Sequence, residues 1–105
     1  MIARIWHGWT THDNADAYEA LLRAEIFPGI AAKAIPGYSG IQLLRRPGDT
    51  EVEFITIMIF DSWDSVKYFV GEDPSVSYVP AKAREVLSRW DARSQHYEVR
   101  ESLSY

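Results

Sequence analysis

The run from Ile2 to Trp9 is short, apolar and rich in β-branched and aromatic residues, which predicts a first strand with Thr10 and Thr11 after it. A period of two puts Ala3, Ile5, His7 and Trp9 on one face and Ile2, Arg4, Trp6 and Gly8 on the other. From Asp13, an expected N-cap with Asp16 three residues on, the residues Ala17, Tyr18, Leu21, Leu22, Glu25 and Ile26 recur at helical spacing. Pro28-Gly29 is expected to break or kink this helix, because proline lacks a backbone donor and clashes with the preceding turn. Ile30 to Ile35 then resume it for a turn or two, until Pro36-Gly37 ends it.

Tyr38 to Arg46 and Val52 to Phe60 read as two further strands, joined into a hairpin by Pro47-Gly48-Asp49-Thr50. The second of them is apolar on both faces, as a central strand covered on both sides would be. Ser62 is placed to cap a helix from Trp63 to Val70, closed by Gly71, and Asp73-Pro74 marks the loop after it. Pro80 suits the first turn of another helix, with Ala83, Val86, Leu87 and Trp90 as one stripe. Ser94 to Arg100 supplies the last strand, and Glu101 to Tyr105 carry no pattern.

The order β, α, β, β, α in two pieces, β predicts one α+β domain over residues 1–105, a ferredoxin-like βαββαβ arrangement with helices on one face of an antiparallel sheet. The other face still carries either the Ile55, Ile57, Ile59 set or the Val52, Phe54, Met58, Phe60 set. A second subunit's sheet is the economical cover, so a homodimer is expected. Composition strengthens this: 4 Trp, 6 Tyr and 4 Phe stand in 105 residues, and a chain so short buries only about 60–70% of its unfolded surface alone. A lysine at Ile57 is expected to damage folding and association together.

Charge narrows the partners. The net charge is -4, and the bases form no stripe, which argues against nucleic acid. Glu85 and Asp91 interrupt the one loose basic cluster, Arg84, Arg89 and Arg93. There is no cysteine, so disulfides, thiolate metal sites and cysteine nucleophiles are excluded. No apolar stretch approaches a membrane span and no signal peptide is legible at Met1, so the expected location is cytoplasmic, with no membrane partner.

Candidate chemistry is sparse. His7, His12 and His96 have no metal-ligand spacing, and no metal site is expected. No glycine-rich phosphate loop, G-x-S-x-G elbow or H-E-x-x-H motif occurs. Glu51 and Glu53 share a strand face beside a turn, where a solvated edge explains them. A neutral imidazole at His7 is suited to give or take a proton near pH 7; a packed strand histidine with one nitrogen on a carboxylate or backbone partner is the plainer reading. Trp6, Trp9, Trp63, Tyr68, Phe69, Tyr78, Trp90 and Tyr97 fall in segments expected to surround one space between sheet and helices. Such a lining suits a flat conjugated ligand.

The segments Ile2-Ala-Arg-Ile-Trp-His-Gly-Trp9, Pro36-Gly-Tyr-Ser-Gly40, Leu43-Leu-Arg-Arg46 and Phe54-Ile-Thr-Ile-Met58 carry a resemblance, continued by Trp63, Gly71-Glu-Asp73, Tyr78-Val-Pro80 and His96-Tyr-Glu-Val99. Together they resemble the antibiotic biosynthesis monooxygenase family over almost the whole chain. The resemblance implies a dimeric α/β barrel and oxidation of electron-rich aromatic polyketides or quinols by dioxygen without metal or flavin. Trp63 is similar to the tryptophan common to that family. Haem-degrading members have asparagine where this chain has His7, and the helix near Tyr78 offers no histidine for iron, so no haem and no other cofactor is expected. The reading that results is a cofactor-independent monooxygenase for a small aromatic or quinol. It assigns the proton to His7, ring-holding to Trp9, Trp63, Tyr78, Phe69 and Trp90, and a polar role to Tyr68. A non-enzymatic small-molecule-binding dimer and a cofactor-free isomerase or cyclase are the alternatives.

Overall fold

The computed structural model describes all 105 residues. In chain order the elements are β1 (Ile2–Thr10), α1 (Ala15–Leu21), α2 (Phe27–Ala32), β2 (Tyr38–Pro47), β3 (Val52–Phe60), α3 (Trp63–Val70), α4 (Ala81–Val86), β4 (Arg89–Trp90) and β5 (Gln95–Glu98). The sheet is antiparallel, in the order β2-β3-β1, and β4 and β5 share the far edge of β1. This is the ferredoxin-like α+β arrangement, with the last strand divided in two. No helix is long and apolar enough to cross a membrane.

β1 and β3 pair along their whole length, from Ile2 opposite Phe60 to Thr10 opposite Val52. Burial along β1 alternates strictly, with Ile2, Arg4, Trp6, Gly8 and Thr10 buried under the helices. On β3 the same face carries Val52, Phe54, Met58 and Phe60. Burying Phe54 or Phe60 completely contributes roughly 1.5–3 kcal/mol each. The opposite face holds Ala3 and Ile5 on β1 and Ile55, Ile57 and Ile59 on β3, all partly exposed and with no helix over them.

Pro28 does not break the first helix. The chain widens into a π-helical stretch, Leu22–Ile26, in which the Phe27 N–H donates to the Leu22 carbonyl. Pro28 then falls in the first turn of α2, where its missing donor leaves nothing unsatisfied. The helix also starts later than expected, at Ala15. Its cap residue is Asn14, whose N–H donates to Thr11 Oγ1, so Asp13 does not cap it.

Ser62 and Gly71 bound α3 as expected: the Ser62 hydroxyl accepts from the Ser65 N–H, and Gly71 takes φ 90°. α4 stops sooner than its stripe implied. Leu87 is already extended, and Trp90 belongs to β4, opposite Gly8. The final strand is interrupted because residues 91–94 turn to bind the 75–77 loop: the Ser77 N–H donates to the Ala92 carbonyl and the Ser94 N–H to the Ser75 carbonyl.

Candidate ligand cavity

Two apolar clusters fill the space between sheet and helices. One joins Trp6, Tyr18, Leu22, Phe54 and Leu87; the other joins Ile2, Ile30, Met58, Phe60 and Val66. Between them lies a cavity of about 40 Å³. Its floor is made by neighbouring register pairs, Met58 with Arg4 and Thr56 with Trp6, with Ile41 beside Met58 on β2. Arg4 and Thr56 interrupt the apolar rows of their strands, so the two clusters do not merge. Leu22, Ile26 and Phe27, from the π-helical stretch and the residue after it, form part of the roof. Phe69 and Tyr78, with ring centres 5.0 Å apart, also line the cavity, and Tyr78 is 40% exposed.

Arg4 is the one charged residue in this lining. It is 3% exposed, and no carboxylate lies within ion-pair distance of it. Its Nη1 donates to the Pro74 carbonyl and lies 3.0 Å from His96 Nε2, and its Nη2 donates to the Val76 carbonyl at 2.8 Å. Burial pulls its pKa down to about 10, so it stays charged at neutral pH. His96 stands directly opposite Arg4 in the β1–β5 register. Burial first, and the Arg4 charge second, hold its pKa below the ordinary value. It is therefore mainly neutral at pH 7, and Nε2 accepts from Arg4. Ser94 also lines the cavity, and its buried hydroxyl has no hydrogen-bond partner. The phenol of Tyr18, buried in the same wall, is held protonated by desolvation.

The residues singled out from sequence divide between the two faces of the sheet. Phe69 and Tyr78 line the cavity. Trp63 is 44% exposed and packs on His96, ring centres 5.1 Å apart, so it reaches Arg4 only through that imidazole. Trp90 packs against the first apolar cluster without lining the cavity, and Tyr68 is 64% exposed on the outside of α3.

His7 and Trp9 do not lie between sheet and helices. They stand on the opposite, open face, because strand alternation gives the inner positions to Trp6 and Gly8. There His7 Nδ1 lies 2.9 Å from Glu53 Oε2, its ring stacks on Trp9, and the Arg89 guanidinium sits 3.7 Å from the Trp9 ring centre. One ring nitrogen thus lies on a carboxylate, while the ring stays partly exposed on the open face. The loose basic cluster is engaged too, with Arg89 on Glu51, Arg93 on Asp73 and Arg84 on the Val79 carbonyl.

Arg4, Ser94 and the pairing of His96 with Arg4 were missed. One signal was available in the sequence: a lone arginine on the strand face that also carries Ile2 and Trp6.

No protein-family model and no curated protein matches the chain by sequence. Its structure does match others. A candidate antibiotic biosynthesis monooxygenase from Bacillus cereus superposes with a TM-score of 0.70 at 12% identity, covering 99% of this chain and 97% of that one. SnoaB, a cofactor-independent oxygenase from Streptomyces nogalater, gives 0.59 at 17% identity, covering 99% and 98%. A variant of SnoaB gives 0.58 at 15%. At such identities the likeness establishes a shared fold over essentially the whole chain. The class is thus a ferredoxin-like α+β domain, the fold these neighbours share.

Proposed function

We propose that the protein is a monooxygenase of the cofactor-independent kind, oxidising a small phenol or quinol in the cavity between sheet and helices. The observation that carries this is the cavity itself, a largely apolar and aromatic space whose only charged residue is Arg4. The likeness to SnoaB, a cofactor-independent oxygenase, supports it. An electron-rich, deprotonated ring reduces dioxygen directly by one electron, and the resulting ring radical and superoxide combine. In the net reaction a phenol and one dioxygen give a quinone and one water, with the substrate as the only reductant. The protein has to hold the ring, exclude water and favour the anion.

At about 40 Å³ the cavity accommodates a few waters, each needing on the order of 10–15 Å³ on this measure. A ring enters only if Phe69, Tyr78 and the loop before α4 move outward. The same small volume favours, as a second reading, a binding protein without turnover. In the solution form we propose, a second copy covers the open sheet face. Aerobic incubation with a panel of phenols and quinols, followed with an oxygen electrode, tests the enzyme reading. Stoichiometric oxygen uptake with quinone formation supports it, and uptake no faster than the protein-free control rejects it.

A further inference from the structure

Arg4 has five N–H donors, and three of them are engaged, by Pro74, His96 and Val76. Nε–H and one Nη2–H have no acceptor. A guanidinium so deeply buried is costly unless something offsets its charge, yet its hydrogen-bond partners are two carbonyls and an imidazole that desolvation keeps neutral, and beside them it has only the face of the Phe69 ring, 5.7 Å away at its centre. The cavity lining holds no carboxylate, and the phenol of Tyr18 is kept protonated by burial. Ser94 contributes an unpartnered buried hydroxyl to the same lining. Ser94 stands just before β5, two residues from His96, which faces Arg4 across the β1–β5 register. A buried cation short of an anion and a buried hydroxyl short of a partner thus line the same largely apolar cavity.

We infer that the ligand of this cavity is a flat organic acid bound as its anion, a carboxylate or an acidic phenol, with its charged oxygen on Arg4 and Ser94 Oγ. This rests on the reading of the cavity as the ligand site and adds the substrate class. The apolar part of the ligand lies toward Met58, Phe69 and Tyr78. Its anionic oxygen completes the hydrogen bonding that the folded chain leaves open. For a phenol, the same pairing favours the phenolate, the form that reduces dioxygen.

The test compares benzoate with benzyl alcohol, an acid and a neutral molecule of similar shape, binding to the full chain by calorimetry, with the Trp6 indole N–H resonance reporting the site. Benzoate is expected to bind at least about tenfold more tightly, the scale of one charge-assisted hydrogen bond, and to shift the Trp6 resonance. Ser94→Ala, which removes an unsatisfied hydroxyl, should melt no lower than the parent. It should weaken benzoate by about threefold to tenfold and leave benzyl alcohol unchanged. Arg4→Gln should abolish the preference; if the loss of its loop contacts prevents folding, the parent and Ser94→Ala decide the matter alone. Equal affinity for the two molecules, no benzoate binding at millimolar concentration, or benzoate binding that leaves Trp6 unmoved would overturn the inference. Turnover is not involved: an acid preference without oxygen uptake from phenols removes the oxygenase and keeps the anion site, and uptake without the preference does the reverse.

Discussion

Two adjacent residues of β3 separate folding from association. Ile57 faces the open side of the sheet among Ile5, Ile55 and Ile59, and its side chain is only partly buried in the single chain. Met58 faces the other way and is 5% exposed, packed with Ile2, Ile30 and Phe60. Ile57→Lys should leave the monomer folded, because its ammonium reaches water, at a cost below about 1 kcal/mol in strand preference. The sequence alone suggested that folding and association would fail together at this position; the open face separates them. If a second copy covers that face, each copy's lysine is buried unpaired at a loss of about 3 kcal/mol or more, which weakens the dimer by at least about 100-fold. Met58→Lys should abolish the fold, since its charge has no route to solvent. Sedimentation equilibrium at micromolar concentration, with circular dichroism melts of the same samples, reads both effects. A parent that sediments as a monomer, or an Ile57→Lys protein that dimerises as tightly as the parent, would refute the reasoning.

Gly37 sits at φ 81°, and a Cβ there would run into Ser65 Oγ and Asp61 Cβ. Gly37→Ala should therefore cost roughly 1–3 kcal/mol and lower the melting temperature by about 4–8 °C for each kcal/mol. His96, whose pKa is held below 6.5 in the fold, binds its proton more readily when unfolded. Its contribution to stability is thus complete above pH 6.5 and is lost as the pH falls from there through the lowered value. Melts between pH 8 and pH 5 should lose part of their slope in His96→Gln, and an unchanged slope would remove His96 as its source.

Strands and the hairpin were legible because their signals are local. Val52–Phe60 lies between a proline-glycine turn and a serine cap, and its bounds in the fold match those read from the pattern. Trp90 was misread because Ala83, Val86, Leu87 and Trp90 keep helical spacing, whereas Leu87 leaves the helix so that the chain can pair with Gly8. The π-helical stretch carries no residue signature and arises where a proline follows a helix that tertiary packing holds in place. The site was harder to read for a different reason. Alternation correctly separated Ile2, Arg4, Trp6 and Gly8 from Ala3, Ile5, His7 and Trp9, but each set mixes large apolar side chains with one basic residue, so the pattern did not show which set the helices cover. With that choice open, the sequence points to His7 as the basic residue facing the cavity; in the fold it is Arg4.

If oxidation takes place in the helix-side cavity and not around His7, oxygen uptake per folded molecule in two variants decides it. Ala83 lines the cavity from α4, and Ala83→Leu extends a side chain into the free space at an overpacking cost of about 1–3 kcal/mol or less. His7→Gln alters only the open face, where His7 meets Glu53 and Trp9. With an accepted phenol or quinol, Ala83→Leu should lose uptake by roughly 100-fold, as expected when a reactant is misplaced or excluded, and His7→Gln should remain within a few-fold of the parent. Full activity in Ala83→Leu together with its loss in His7→Gln would contradict the helix-side site and place the chemistry on the open face of the sheet.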